Sequence, residues 1–260
     1  MCRLVAYVGE PLSPAELVFG GDHSLARQSW APRELLSGSV NADGYGVVWY
    51  AEGQPARIAD PRPIWHDSDL ESTLRSVRSD VVLGALRNGT PGLMVDRSSL
   101  LPLVSGRYSF ALNGFVPDFR RSHMRALRSH LSDELYAELI GSSDSETLFL
   151  LALGALQAGA TLTESLVETA RLVAARVGSE EAQLNMVLSD GAGVAMVRTG
   201  TEPETNSLYL NARPSFAPGG VVLASEPTHP NAEGWTVVQP HSSVLIETSG
   251  LIRFDEVRLG

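Results

Sequence analysis

Cysteine is nearly missing from this chain. One residue of that type, Cys2, stands among 260. A single cysteine forms no internal disulfide, so nothing calls for an oxidising compartment. Lysine is missing altogether: all twenty cationic residues are arginine. That excludes Schiff-base lysines, pyridoxal phosphate attachment and the Walker lysine. Long hydrophobic runs are also lacking. The longest, Leu148 to Leu156 (LFLLALGAL), is far too short to span a bilayer. The N-terminus has no basic region followed by an apolar run, so no signal peptide is expected. The formal charge is −10, and no basic stripe of the kind that tracks phosphates interrupts it. These absences predict a cytoplasmic protein with neither a nucleic-acid nor a membrane partner.

What is present fits an ordinary soluble domain: 43% hydrophobic and 19% charged residues, enough chain to bury a core without staples. Arg3–Val8, Gly46–Tyr50, Val81–Leu86 and Tyr108–Leu112 read as strands. Capping-box patterns at Ser13–Glu16, Ser68–Glu71 and Ser143–Glu146 predict helix starts, the first with Pro14 at the leading helical position. Met124–Ile140 reads as one or two helices, and Thr163–Val177 carries Leu166, Ala170, Val173 and Ala174 on one helical face. Further strands are expected at Leu184–Leu188, Val194–Val197, Leu208–Leu210, Val221–Ala224, Val237–Gln239, Val244–Glu247 and Leu251–Phe254. Strands, then helices, then strands indicate an α+β fold with two mostly antiparallel sheets and helices packed outside. No linker or repeat divides the chain, and a single domain over residues 2–260 is expected.

The lone cysteine directly follows the initiator methionine. A small side chain at position 2 favours removal of Met1, which would leave Cys2 as the mature N-terminus with a free α-amine. That amine has a reference pKa of ~7.7–8.0 and the thiol one of ~8.5. An amine partly neutral near pH 7 can take the thiol proton and return it to a leaving amine. A buried, inert thiol is the plain alternative. The six histidines (His23, His66, His123, His130, His229 and His241) occupy no recognisable Cys–His protease context. His123 and His130 lack companion ligands, so no metal and no other cofactor is expected.

Other stretches carry weaker signals when taken singly. NADGYG (Asn41–Gly46) places two glycines, Gly44 and Gly46, before a strand, where backbone could approach a ligand. Arg87 ends the apolar strand VVLGAL and could clamp a carboxylate, or simply form a surface ion pair. Asn113-Gly114 is a hairpin-turn signal; its amide and backbone N–H could equally hold an oxyanion. Asp144 in a helical first turn could compensate the dipole or hold a cationic amine.

In combination MCRL, NADGYGVVWY, the strand ending in Arg87, FALNG and SSDSETLFL resemble, in this order, the class II glutamine amidotransferase family of N-terminal-nucleophile hydrolases. The motifs span residues 2–156. The resemblance implies a four-layer αββα sandwich. It also implies Cys2 as nucleophile with its α-amine as base, and Asn113 with the Gly114 N–H as oxyanion hole. Arg87 would hold a substrate α-carboxylate and Asp144 its α-amine, with Thr90 and Gly44 completing the γ-glutamyl site. Two positions depart from the family's pattern: Leu112 stands where many members have His, and the NGTPG loop (Asn88–Gly92) lacks a Trp and a His.

If that fold takes up the whole chain, no acceptor domain is expected. QSWAPRELLSGSVNADGYGVVWY, PIWHDSDL, and VVLASEP followed by Gly234-Trp235 resemble most closely the γ-glutamyl hydrolases of ergothioneine biosynthesis. That branch implies a small-molecule γ-glutamyl substrate, γ-glutamyl-hercynylcysteine sulfoxide. The alternatives are an ammonia-supplying glutaminase subunit and a non-enzymatic γ-glutamyl binder. Trp30, Tyr45 and Trp65 are candidates for an aromatic wall against the trimethylammonium group, with core packing as the competing role. Oligomeric state is left open.

Overall fold

The computed structural model describes residues 2–36, 38–89, 99–231 and 233–259. Two antiparallel sheets form its centre. The first has strands β1 (Arg3–Leu12), β2 (Tyr45–Ala51), β3 (Gln54–Asp60), β4 (Ser79–Leu86), β9 (Tyr209–Asn211), β10 (Gly220–Ala224) and β11 (Trp235–Val237), in the order β11-β9-β10-β1-β4-β2-β3. The second contains β5 (Leu103–Ser105), β6 (Tyr108–Phe115), β7 (Gln183–Ser189), β8 (Gly193–Gly200), β12 (Ser242–Glu247) and β13 (Ile252–Glu256), in the order β13-β12-β8-β7-β6-β5.

Side-chain alternation along the central strands assigns their two faces. Cys2, Leu4, Ala6 and Val8 at the start of the chain join Val81, Leu83 and Ala85 of β4 in a core shared with the second sheet. Val5 and Tyr7 face the other way with Val82 and Leu86, against the short helices α1 (Pro14–Val18), α2 (Leu25–Gln28) and α3 (Leu70–Arg75). On the second sheet Phe110 points outward and stacks on Phe149 of α6 (Asp144–Gln157), with centroids 5.4 Å apart and planes 9° from parallel. Behind α6 runs α7 (Leu162–Val177), whose buried Leu166, Ala170 and Val173 close the outer layer. Helices, sheet, sheet, helices: this is the αββα sandwich, of α+β class.

Local chemistry refines the expected boundaries. Ser13 caps α1 through the Ala15 N–H at 3.3 Å, while Glu16 meets Arg75 instead of closing a box. In the second pattern the capping oxygen belongs to Asp67, whose Oδ1 accepts from the Asp69 and Leu70 N–H groups. Ser143 caps α6 through the Glu146 N–H, but the Glu146 carboxylate turns to the N–H groups of Ile140 and Gly141. The reciprocal box lies one helix later, at Thr161 and Glu164. The 124–140 stretch forms two short helices, α4 (Met124–Arg128) and α5 (Asp133–Ala137). Two strands without a clear pattern in the sequence, β3 and β5, sit at sheet edges, where burial no longer enforces strict alternation.

Candidate active site

The start of β1 lies between β10 and β4. Arg3 is in register with Leu86, and Leu86 with Tyr45. Continued one step past the strand ends, this register would bring Cys2 opposite Arg87, and the Arg87 N–H donates to the Gly44 carbonyl at 2.8 Å. Three expected site residues from separate parts of the chain thus occupy one end of one sheet. By strand parity Cys2 and Arg87 face the second sheet, and Cys2 is 8% exposed. Arg87 is buried, and its Nη1 has no hydrogen-bond partner among the described residues.

Gly44 is glycine for a structural reason. Its φ is +113°, and a Cβ there would lie 2.4 Å from Leu100 and 2.8 Å from the Asp60 carbonyl. The same loop supplies a residue that no motif singled out. The Asp43 carboxylate accepts from the Gly89 N–H at 2.7 Å, and its own N–H donates to the Arg87 carbonyl at 3.1 Å. Asp43 therefore fastens the backbone on both sides of Asn88. Thr90 lies outside the described residues, as does Met1.

Asn113 and Gly114 belong to β6, paired with Asn185 and Leu184. They are not a hairpin turn, so that reading of Asn-Gly is set aside. Gly114 packs so tightly on β7 that a Cβ would fall 1.8 Å from the Gln183 carbonyl. Asn113 points toward the first sheet, away from the Phe110 face. Its Nδ2 is 3.3 Å from Ser225 Oγ, which also accepts the Leu4 N–H at 3.0 Å. Ser225 thus joins the Asn113 side chain to the backbone two residues beyond Cys2. The Asn113 carbonyl accepts from Asn206 Nδ2 at 3.0 Å, and the Asn206 carbonyl accepts from Asn185 Nδ2 at 2.8 Å.

Asp144 stands at the first position of α6, half-buried. Its Oδ2 accepts the Val116 N–H at 3.0 Å and its Oδ1 the Ser145 N–H at 2.7 Å. Val116 directly follows β6, so this carboxylate ties the helix start to the end of the strand bearing Asn113. Burial raises its pKa, and the bonds from Val116 and Ser145 offset only part of that. A carboxylate has about four lone-pair sites, so capacity for an ammonium remains.

On the opposite face of β1 lies a buried charge cluster that sequence reading missed. Arg3 Nε is 3.3 Å from Glu226 Oε1, and Glu226 Oε2 accepts from His23 Nε2 at 2.6 Å. The N–H groups of Arg33 and Glu34 also donate to this carboxylate. Burial pushes the Glu226 carboxyl upward; the bonds from His23, Arg33 and Glu34 and the charge of Arg3 together outweigh that, so its pKa ends below the ordinary value. Arg3 Nη2 further donates to the Glu34 carbonyl at 3.1 Å. The loop after α2 is thereby strapped to the first strand. The signal was available in MCR and SEP: charged residues at the ends of apolar strands need partners when buried.

Of the three aromatics proposed as a wall, Trp30 and Trp65 meet edge to face with centroids 5.9 Å apart, exposed by 43% and 44%. Tyr45 does not join them. It is buried on the helix side of the first sheet, with its hydroxyl on Asp67. Arg27 already lies 5.5 Å over the Trp30 ring.

Comparison with known proteins accords with this architecture. The family model for class II glutamine amidotransferases matches residues 13–215, a span that contains Arg87, Asn113 and Asp144. A protein of Mycolicibacterium smegmatis named gamma-glutamyl-hercynylcysteine sulfoxide hydrolase is 31% identical over 239 residues, 91% of each chain. Among solved structures, a glutamine aminotransferase class-II domain protein from Silicibacter pomeroyi superposes with a TM-score of 0.73 at 23% identity, covering 100% of both chains. Glutamine phosphoribosylpyrophosphate amidotransferase from B. subtilis gives 0.65 at 15% identity, over 100% of this chain and 50% of its own. With most of its length matched by the family model and a curated relative above 30% identity, the chain belongs to the class II glutamine amidotransferases.

Proposed function

We propose that this protein is a γ-glutamyl amidohydrolase acting through an N-terminal cysteine, and that its substrate is γ-glutamyl-hercynylcysteine sulfoxide, cleaved to glutamate and hercynylcysteine sulfoxide. The observation that carries the reading is the convergence of Cys2, Arg87 and Gly44 on one sheet end, with Asn113 reaching toward it from the other sheet through Ser225. The named relative supports the substrate. Residues 2–260 act as one domain, in the cytoplasm, without a cofactor.

With Met1 removed, the Cys2 α-amine takes the thiol proton and Sγ attacks the γ-carbonyl carbon. The carbonyl oxygen becomes an oxyanion held by the Asn113 amide and the Gly114 N–H. Collapse breaks the C–N bond, and the α-ammonium gives its proton to the leaving amine. Water, deprotonated by the same amine, then hydrolyses the glutamyl thioester. Arg87 presents a fork of donors to the substrate α-carboxylate, and Asp144 and Thr90 receive the α-ammonium end. The pair reads a zwitterion, so an amide lacking either charged group binds poorly.

The test is glutamate release from a panel containing glutamine, γ-glutamyl dipeptides and γ-glutamyl-hercynylcysteine sulfoxide. Preferred turnover of the sulfoxide is expected. Preference for glutamine with free ammonia released would support the glutaminase-subunit reading instead, and binding without turnover the non-enzymatic one.

A further inference from the structure

The Asn113 amide raises a hydrogen-bonding problem. In the structure Nδ2 faces Ser225 Oγ at 3.3 Å, and Oδ1 is fully buried without a partner among the described residues. A buried acceptor left bare keeps its full desolvation penalty. Ser225 Oγ meanwhile accepts two donors, Leu4 N–H and Asn113 Nδ2. Neither contact uses its own hydroxyl hydrogen. An Asn side chain can present either end to the same neighbour, and the inventory of donors and acceptors decides which.

We propose that Ser225 is a positioning residue for the oxyanion hole: its hydroxyl accepts from the Leu4 N–H and donates to Asn113 Oδ1, turning the Asn113 NH2 group away from Ser225. The inference rests on the oxyanion-hole role proposed above. Reversing the amide makes a single chain, Leu4 N–H to Ser225 O–H to Asn113 Oδ1, in which the hydroxyl hydrogen and Oδ1 both find partners. It moves the unmet demand from an acceptor, which no step of the reaction fills, to two N–H donors, which a developing oxyanion fills. A site left wanting donors' partners until negative charge appears stabilises the transition state over the ground state.

The surroundings leave the amide little other freedom. Asn206 Nδ2 holds the Asn113 carbonyl at 3.0 Å, and β7 holds the strand in register from Ser109 to Phe115. Backbone position is therefore set independently, and Ser225 selects the amide orientation. The Ser225 N–H in turn donates to the Leu4 carbonyl at 3.0 Å. The hydroxyl that orients Asn113 is thus anchored to the strand that carries the nucleophile.

A double-mutant cycle on the full chain tests this, with γ-glutamyl-p-nitroanilide as substrate. Ser225→Ala should lower kcat on the order of tenfold to a hundredfold with KM nearly unchanged, because ground-state binding does not use the oxyanion donors. In an Asn113→Ala background the same change should cost less than about twofold, since no amide remains to orient. Ser225→Thr, which keeps the hydroxyl, should recover most of the loss and serves as the test if the alanine variant folds poorly. Equal losses in both backgrounds, or no loss in either Ser225 variant, would overturn the inference while leaving the function intact. An Asn113→Ala variant with full kcat would remove the oxyanion role itself, and turnover by Cys2→Ala would remove the proposed function.

Discussion

At the residue scale, the site depends on charged and amide side chains whose partners are fixed by strand register. Arg87 is the simplest case. It is buried, and its Nη1 has no partner among the described residues. A guanidinium held in that way is suited to a bidentate carboxylate. Arg87→Lys keeps the charge but loses the fork. A charge-assisted bond contributes about 1.5–3 kcal/mol, so KM for γ-glutamyl substrates should rise roughly tenfold to a hundredfold with kcat changed far less, as steady-state kinetics can measure. A matching drop in kcat with constant KM would place Arg87 elsewhere in the reaction. Cys2, Arg87, Asn113 and Asp144 could be proposed from the sequence because their types match the proposed chemistry. Ser225, Glu226, Asn206 and Asp43 were not, because each acts through a partner at least 40 residues distant. Such a pairing exists only once the strands are in register.

At the scale of elements, α6 carries Asp144 to the end of β6. Ser143 caps it through the Glu146 N–H at 3.2 Å. Ser143→Ala should lower stability by about 1 kcal/mol, read in urea melts, without loss of fold. The stack of Phe149 on Phe110 fixes the helix to the sheet bearing Asn113; Phe149→Ala should cost about 3–5 kcal/mol. A value below about 1 kcal/mol would mean that α6 is not held by this contact. The elements themselves were largely readable: weak alternation marked β1, short apolar-rich stretches marked β4, β7 and β10, and a 3.6-residue period marked α7. Capping was less so. Three capping-box patterns were visible, and in none do both side chains bond as the pattern implies: Glu16 meets Arg75, Glu146 accepts from two backbone N–H groups, and Asp67 caps in place of Ser68. Asn113-Gly114 shows the same limit, since a dipeptide common in turns is here interior strand.

For the molecule as a whole, the Arg3–Glu226–His23 cluster couples the start of β1, the end of β10 and the loop after α2. Removing the carboxylate leaves a buried arginine unpaired, so Glu226→Gln should destabilise by about 3–5 kcal/mol at pH 7. The folded pKa of Glu226 lies below its ordinary 4.5. The sign follows: above 4.5 the folded protein enjoys the full stabilisation of the ionised group, and this is lost as pH falls through the lowered folded value. Stability of the wild type should decline in that acid window, and the Glu226→Gln variant should show a shallower decline. Parallel curves would mean that other carboxylates control acid unfolding. No helix among the described residues is long and apolar enough to cross a membrane, and Cys2 belongs to the apolar core that the two sheets share.

The central claim is that Cys2 Sγ carries the glutamyl group. The most direct measurement is peptide mass spectrometry of the protein quenched in acid during turnover of γ-glutamyl-hercynylcysteine sulfoxide. The account predicts an N-terminal peptide that begins at Cys2 and bears a hydroxylamine-labile glutamyl thioester, absent from Cys2→Ala, which releases no glutamate. Glutamate release by pure Cys2→Ala at the wild-type rate, with no acyl group on the wild-type peptide, would contradict it.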